Sequence, residues 1–116
     1  MPLIKVQTSL ADTAAIDVES LLKSLSASLA EQLGKSEAYV MTAFEAGVPM
    51  THAGSAEPAC YVEIKSVGTM GAKTQAMTTA FCDQLAEALG IARDRIYILF
   101  DDVKGSMWGW NGRTIG

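Results

Sequence analysis

The chain opens MPLIKV, and the group there that could do chemistry is Pro2. Initiator methionine is usually removed when proline follows it, and removal would leave Pro2 with a secondary amine in place of an amide nitrogen. Such an amine takes up and returns a proton. The competing reading is conformational: a proline at the first position of a strand leaves its missing N–H facing solvent. A second chemical group is Lys35, one residue past Gly34 in LGKSEAY. A lysine after a helix-terminal glycine is commonly a solvated charge at the negative end of the helix dipole. Tyr39, closing the same stretch, and Tyr97, in DRIYILF, sit in runs that ordinarily form sheet core. Val67 with its glycine reads as a strand end, and Trp108 and Trp110, in MWGWN, as interface or tail packing. His52, the only histidine, lies in the polar loop MTHAGSAEP without a cysteine or carboxylate motif beside it and reads as a surface residue. Cys60 and Cys82 are too few and too widely spaced for a CxxC pair or a zinc site, and read as reduced, buried thiols. No metal and no cofactor is expected.

What must position these groups fits in one domain, residues 1–116. Apolar residues make up 49% of the chain, enough for a core, and no stretch approaches the roughly 18 unbroken apolar residues of a membrane span. A basic stretch followed by an apolar run, the mark of a secretory signal, is not seen at the start, so the expected compartment is the cytoplasm. A net charge of −4 argues against nucleic acid as a partner, which would call for a basic surface.

Laid against itself, the chain reads as one unit written twice, in pseudo-repeats of about 2–57 and 58–116. LGKSEAYVMTAFE (33–45) and LGIARDRIYILFD (89–101) share L-G, nine residues, phenylalanine and an acid, at an offset of 56. From the N-cap candidate Asp17, Val18, Leu21, Leu22, Leu25, Leu29 and Leu33 follow helical spacing to a C′ glycine, Gly34. Met77, Phe81, Leu85, Ala88 and Leu89 repeat the stripe up to Gly90. Segments 2–8, 39–45, 59–67 and 95–101 are rich in β-branched and aromatic residues and read as strands. The order β-α-β, β-α-β predicts an α/β (α+β) fold, a four-stranded mixed sheet with both helices on one face. Apolar residues on both strand faces, Val40 with Met41 and the run Tyr97 to Phe100, predict a sheet face covered by further copies of the chain.

A second-position proline, a β-α-β duplication and this length together resemble the macrophage migration inhibitory factor branch of the tautomerase superfamily. The matching stretches are MPLIKVQT, GKSEAY (34–39), SAEPA (55–59), SVGTMG (66–71), DRIYI and the closing GWNGRT. The resemblance implies a homotrimer whose sheets line a central barrel, with three interface sites each built around an amino-terminal proline. By that match Pro2 is the catalytic base. Lys35 holds a substrate carboxylate, Tyr39 is a nearby pocket aromatic, and Val67 offers its backbone N–H to the same carboxylate. Tyr97 enters the pocket from the neighbouring subunit, and the Trp110 ring helps form the local surface.

Keto–enol exchange, the activity implied, takes a proton from carbon or oxygen and returns one elsewhere, so one group must be neutral at working pH yet able to carry charge briefly. A free α-amine, with a pKa of about 7.7–8, is only about one-tenth neutral at pH 7. Desolvation and a neighbouring cation such as Lys35 both lower it. A fall to about 6 makes roughly nine-tenths neutral, a gain of under tenfold, so most of the rate must come from positioning.

Departures from the family pattern bear on substrate. Animal cytokine members carry a CxxC pair where Ala59 and Val62 stand, with Cys60 between them, so thiol–disulfide chemistry by that route is not expected. Two further pocket-rim candidates differ as well. Leu99 replaces an asparagine, removing a hydrogen bond to a ring hydroxyl, and Trp108 replaces a smaller aliphatic residue and narrows the entrance. The expected substrates are small aryl 2-oxo acids of the phenylpyruvate kind. A non-catalytic, cytokine-like trimer that binds another protein is the alternative. A third reading, hydration or decarboxylation of a small unsaturated acid, lacks the arginine pair it would need near the amino terminus.

Overall fold

The structure, a computed structural model, describes residues 1–68 and 70–116; Thr69, within SVGTMG, lies outside the described residues. Strand β1 (Pro2–Thr8) is followed by helix α1 (Val18–Leu33), strand β2 (Met41–Glu45) and strand β3 (Cys60–Val67). Helix α2 (Thr74–Leu89), strand β4 (Ile96–Val103) and a small hairpin of β5 (Gly109–Trp110) and β6 (Arg113–Thr114) complete the chain. The main sheet runs β2-β1-β3-β4, with β1 parallel to β2, β3 parallel to β4 and the two central strands antiparallel. Each parallel pair is bridged by one helix, and the two β-α-β units meet through β1 and β3.

Both helices pack on one face of this sheet around a single core. Ile4, Val6, Val62 and Ile64 point into it from the central strands, and Leu25, Leu29, Met77, Phe81 and Leu85 from the helices, all fully buried. Each such side chain contributes about 1.5–3 kcal/mol relative to exposure.

The helix boundaries follow from local chemistry. Asp17 caps α1, its carboxylate accepting the Ser20 N–H at 3.0 Å. Gly34, at φ +64°, ends α1 in a Schellman motif: its N–H reaches Glu31 O and the Lys35 N–H reaches Ala30 O. Gly90 ends α2 in the same left-handed conformation.

The structure corrects several expectations. The segment at 39–45 becomes a strand only at Met41, because Glu37–Tyr39 forms a 3₁₀ turn capped by the Ser36 hydroxyl. Strand β4 extends to Val103, two residues past the expected end at 101. The sheet face away from the helices is mixed rather than uniformly apolar. Its rows, read across β2-β1-β3-β4, are Met41–Leu3–Lys65–Asp101, Ala43–Lys5–Glu63–Leu99 and Glu45–Gln7–Tyr61–Tyr97. Polar partners pair within it, Gln7 with Glu45 at 2.8 Å and Tyr61 with Glu63 at 3.2 Å. Apolar exposure is concentrated at the outer strands, where Met41, Tyr97 and Leu99 are each more than half exposed. Among the described residues, no helix is long and apolar enough to cross a membrane.

Candidate active site at the amino-terminal end of the sheet

Pro2 begins β1 between β2 and β3, with its ring fully buried and its register partner on β3 being Ser66. The first position of a central strand is one of the few places in a sheet that tolerates a residue without an N–H. In this structure Met1 precedes it, so the free amine belongs to Met1. That amine is held below its usual pKa, first by burial and then by the nearby Lys35 cation.

Lys35 reaches this end because of where the Schellman motif leaves the chain. The motif fixes its backbone immediately past Gly34, and the side chain turns in toward β3. Its ammonium donates to Ser66 Oγ at 2.9 Å and to the Val67 carbonyl. It is therefore not the solvated helix-end charge of the simpler reading. That place is taken by Lys73, whose ammonium donates to Leu33 O at 3.0 Å on the last turn of α1. Val67 bears on Lys35 through its carbonyl oxygen.

A cleft of about 410 Å³ opens beside Pro2, between Met1, Leu3, Ala38, Tyr39, Met41, Trp108 and Trp110. The 3₁₀ turn delivers Tyr39, and its ring meets Trp110 edge to face, centroids 5.6 Å apart. Trp110 is carried by the β5–β6 hairpin, whose two-residue turn is Asn111 (φ +53°) and Gly112 (φ +84°). Both central residues at positive φ are what a type I′ turn requires, and Asn-Gly is its preferred sequence. The Asn-Gly pair within GWNGRT is a local hairpin signal that a reading of Trp108 and Trp110 as interface or tail packing passes over. Arg113, opposite Trp110 in the hairpin, lines the neighbouring groove with Met1, Tyr39 and Ile115.

Pro2, Lys35, Val67, Tyr39, Trp108 and Trp110 thus gather at one end of the sheet. Tyr97 and Leu99 do not. Tyr97 lies in register with Tyr61 and, through it, with Gln7, five residues along β1 from Pro2. At about 3.4 Å per residue that is roughly 17 Å down the strand axis. Leu99 sits two residues nearer on the same exposed face.

Tyr97 instead meets His52, the ring centroids 5.2 Å apart and the planes at 86°. His52 is half-buried, which corrects its reading as a surface residue. Arg95 holds its loop: Nε donates to Pro58 O, Nη1 to His52 O and Nδ1, and Nη2 to Ser55 O and Glu57 O, at 2.9–3.3 Å. The guanidinium can only donate, so in this contact His52 Nδ1 is the acceptor. No pairing motif in the sequence links His52 to Arg95; only folding brings the loop against the start of β4. Cys60, at the floor of the adjoining cavity of about 310 Å³, is buried, which pushes its thiol up to about 12.

This arrangement can do proton transfer. It has a shielded amine of lowered basicity, a fixed cation beside it and an aromatic-walled cleft for a flat apolar group.

Comparison with known proteins points to one family. A family model described as macrophage migration inhibitory factor matches residues 1–116. The macrophage migration inhibitory factor of Meriones unguiculatus is 33% identical over 115 residues, covering 98% of each chain. The homolog from Trichuris trichiura is 34% identical over 116 residues, 98% of this chain and 99% of its own. The crystal structure of a macrophage migration inhibitory factor homologue from Prochlorococcus marinus has a TM-score of 0.93 at 51% identity, covering 98% of this chain and 99% of that one.

Proposed function

Because this chain belongs to the macrophage migration inhibitory factor family, within the tautomerase superfamily, we propose that it is a keto–enol tautomerase of small aryl 2-oxo acids such as phenylpyruvate. In this reading Met1 is removed and the Pro2 amine serves as base and then as acid. Lys35 receives the carboxylate together with the Val67 N–H, and Tyr39, Trp108 and Trp110 wall the aryl group.

The carrying observation is the lowered pKa of the amine at the chain start, caused by burial and by Lys35. With Met1 gone, the amine would stand one residue deeper, at a ring that is fully buried. Burial and the Lys35 cation would act there in the same direction, lowering the amine's basicity and favouring its neutral form. Proton movement is then an exchange between one nitrogen and the two ends of the enol: Pro2 takes the proton from the enol oxygen and an ammonium form returns one to carbon. The cleft supplies orientation, which is where most of the acceleration lies.

A homotrimer belongs to the same proposal. Two free sheet edges, β2 and β4, and the exposed Tyr97 and Leu99 support it. Tyr97, at the far end of its own sheet, would then serve the cleft of a neighbouring copy.

The test follows ultraviolet absorbance of phenylenolpyruvate with the native protein and with Pro2→Ala, alongside intact mass of the native chain. The expected result is a chain lacking Met1 whose ketonisation rate falls at least a hundredfold in the variant. Equal rates for the two proteins would overturn the assignment and leave the cytokine-like binding role.

A further inference from the structure

The helix-facing row of β3 reads Cys60, Val62, Ile64, Ser66, and all four are buried. Three are apolar members of the core. The fourth is a fully buried hydroxyl directly across the antiparallel ladder from Pro2. A buried hydroxyl is costly unless it is hydrogen-bonded, and the partner here is the Lys35 ammonium at 2.9 Å.

We infer that Ser66 is a positioning residue: with the Val67 carbonyl it fixes the Lys35 ammonium on two neutral acceptors beside Pro2, leaving its charge and its third N–H for a substrate carboxylate. This rests on the tautomerase reading above and names the residue that makes its cation effective.

The argument is one of charge accounting. An ammonium has three donors, and Ser66 Oγ and Val67 O occupy two of them. Neither acceptor is charged, so the site keeps a full positive charge. A carboxylate in the place of Ser66 would hold the lysine equally well and cancel that charge. The ion pairs among the described residues join Lys23 to Glu19, Lys65 to Glu63 and Arg93 to Asp83, and none involves Lys35. The nearest acid by register is Asp102, next to Ser66 on β4, and its Oδ2 already accepts the Met70 N–H at 3.2 Å. Lys65 and Asp101, one row back, project from the opposite face of the sheet. Lysine carries its charge on a flexible four-carbon stem, so a defined position has to come from its acceptors.

The test compares kcat/KM for an aryl 2-oxo acid with that for its methyl ester, which lacks the carboxylate charge. Native protein, Ser66→Ala, Ser66→Cys and Pro2→Ala are measured together. Cysteine preserves the buried volume while accepting hydrogen bonds weakly, so it guards against a folding defect in the alanine variant. Expected is a fall of about tenfold in the acid-to-ester ratio for both Ser66 variants, appearing in KM for the acid. Ser66→Thr, which restores the hydroxyl, should recover most of that ratio. Equal losses on acid and ester, or an unchanged ratio in Ser66→Cys, would overturn the inference while a Pro2-dependent rate in the native protein left the tautomerase reading standing. Absence of any Pro2-dependent rate would overturn both.

Discussion

Tyr39 and Trp110 meet edge to face, centroids 5.6 Å apart and planes at 87°, although 71 positions separate them in the chain (110 − 39). The contact joins the 3₁₀ turn after α1 to the C-terminal hairpin and so closes one wall of the cleft beside Pro2. Its geometry depends on the turn at Asn111 and Gly112. Gly112→Val places a β-branched residue at φ +84° and should destabilise the hairpin by about 1–2 kcal/mol. Thermal unfolding should show only a small fall in Tm, because the main core is untouched. Turnover should fall more than stability does, and unaltered turnover would show that the hairpin does not shape the cleft.

Lys35→Ala separates two effects in one variant. Losing the cation should raise the pKa of the amine at the chain start, because the Lys35 charge disfavours its protonated form. The acid limb of the kcat/KM profile should therefore move to higher pH, and KM for the carboxylate substrate should rise about tenfold. Lys35→Arg should keep the direction of the native profile. A profile that stays in place in Lys35→Ala would remove Lys35 from the electrostatics of the amine.

If each site combines Pro2 of one copy with Tyr97 of another, two inactive variants should rescue each other. Pro2→Ala and Tyr97→Ala chains, unfolded together in equal amounts and refolded, should form about a quarter of their sites with both native residues. Recovery near that level, absent from either variant alone, is the expected result. No recovery, with Tyr97→Ala active by itself, would confine the site to a single chain.

Cys60 offers a check on packing that is independent of catalysis. Burial, with Cys82 as a lesser cause, pushes its thiol up to about 12. It should stay unlabelled by an aromatic disulfide reagent at pH 8 in the native state and react fully in guanidinium. The sign for stability follows from linkage: above about pH 8.5 the unfolded thiol gives up its proton while the folded one keeps it, so stability falls as pH rises toward 12. Cys60→Ser should flatten part of that decline.

Asp17→Ala removes the acceptor of the Ser20 N–H and should cost about 1 kcal/mol without changing kinetics. Equilibrium denaturation reads the first, and steady-state rates the second.

Asp17 and Gly34 were legible in the sequence because a cap and a left-handed glycine are local devices, dictated by a few neighbouring residues. The strand frames were legible for the same reason, since an alternating pattern reports its own period. Tyr39 was harder: the Ser36 cap that bends 37–39 into a turn competes with the β-branched run that follows, and the cap prevails. The position of Lys35 was visible but its bearing was not, because its acceptors lie 31 and 32 positions away. The half-burial of His52 is not legible locally, because its partners Arg95 and Tyr97 are distant in the chain and leave no periodic mark. The mixed open face of the sheet, too, depends on cross-strand register, which the strands do not carry singly.

The two ends of the sheet treat an incoming anion differently. Arg95 has all five of its N–H groups committed to the 52–58 loop, so its guanidinium behaves as a rivet. Lys35 has a donor to spare. The molecule is thereby given a direction: each end carries a cation held on neutral acceptors, but only the proline end keeps an ammonium N–H with which to grasp an incoming anion.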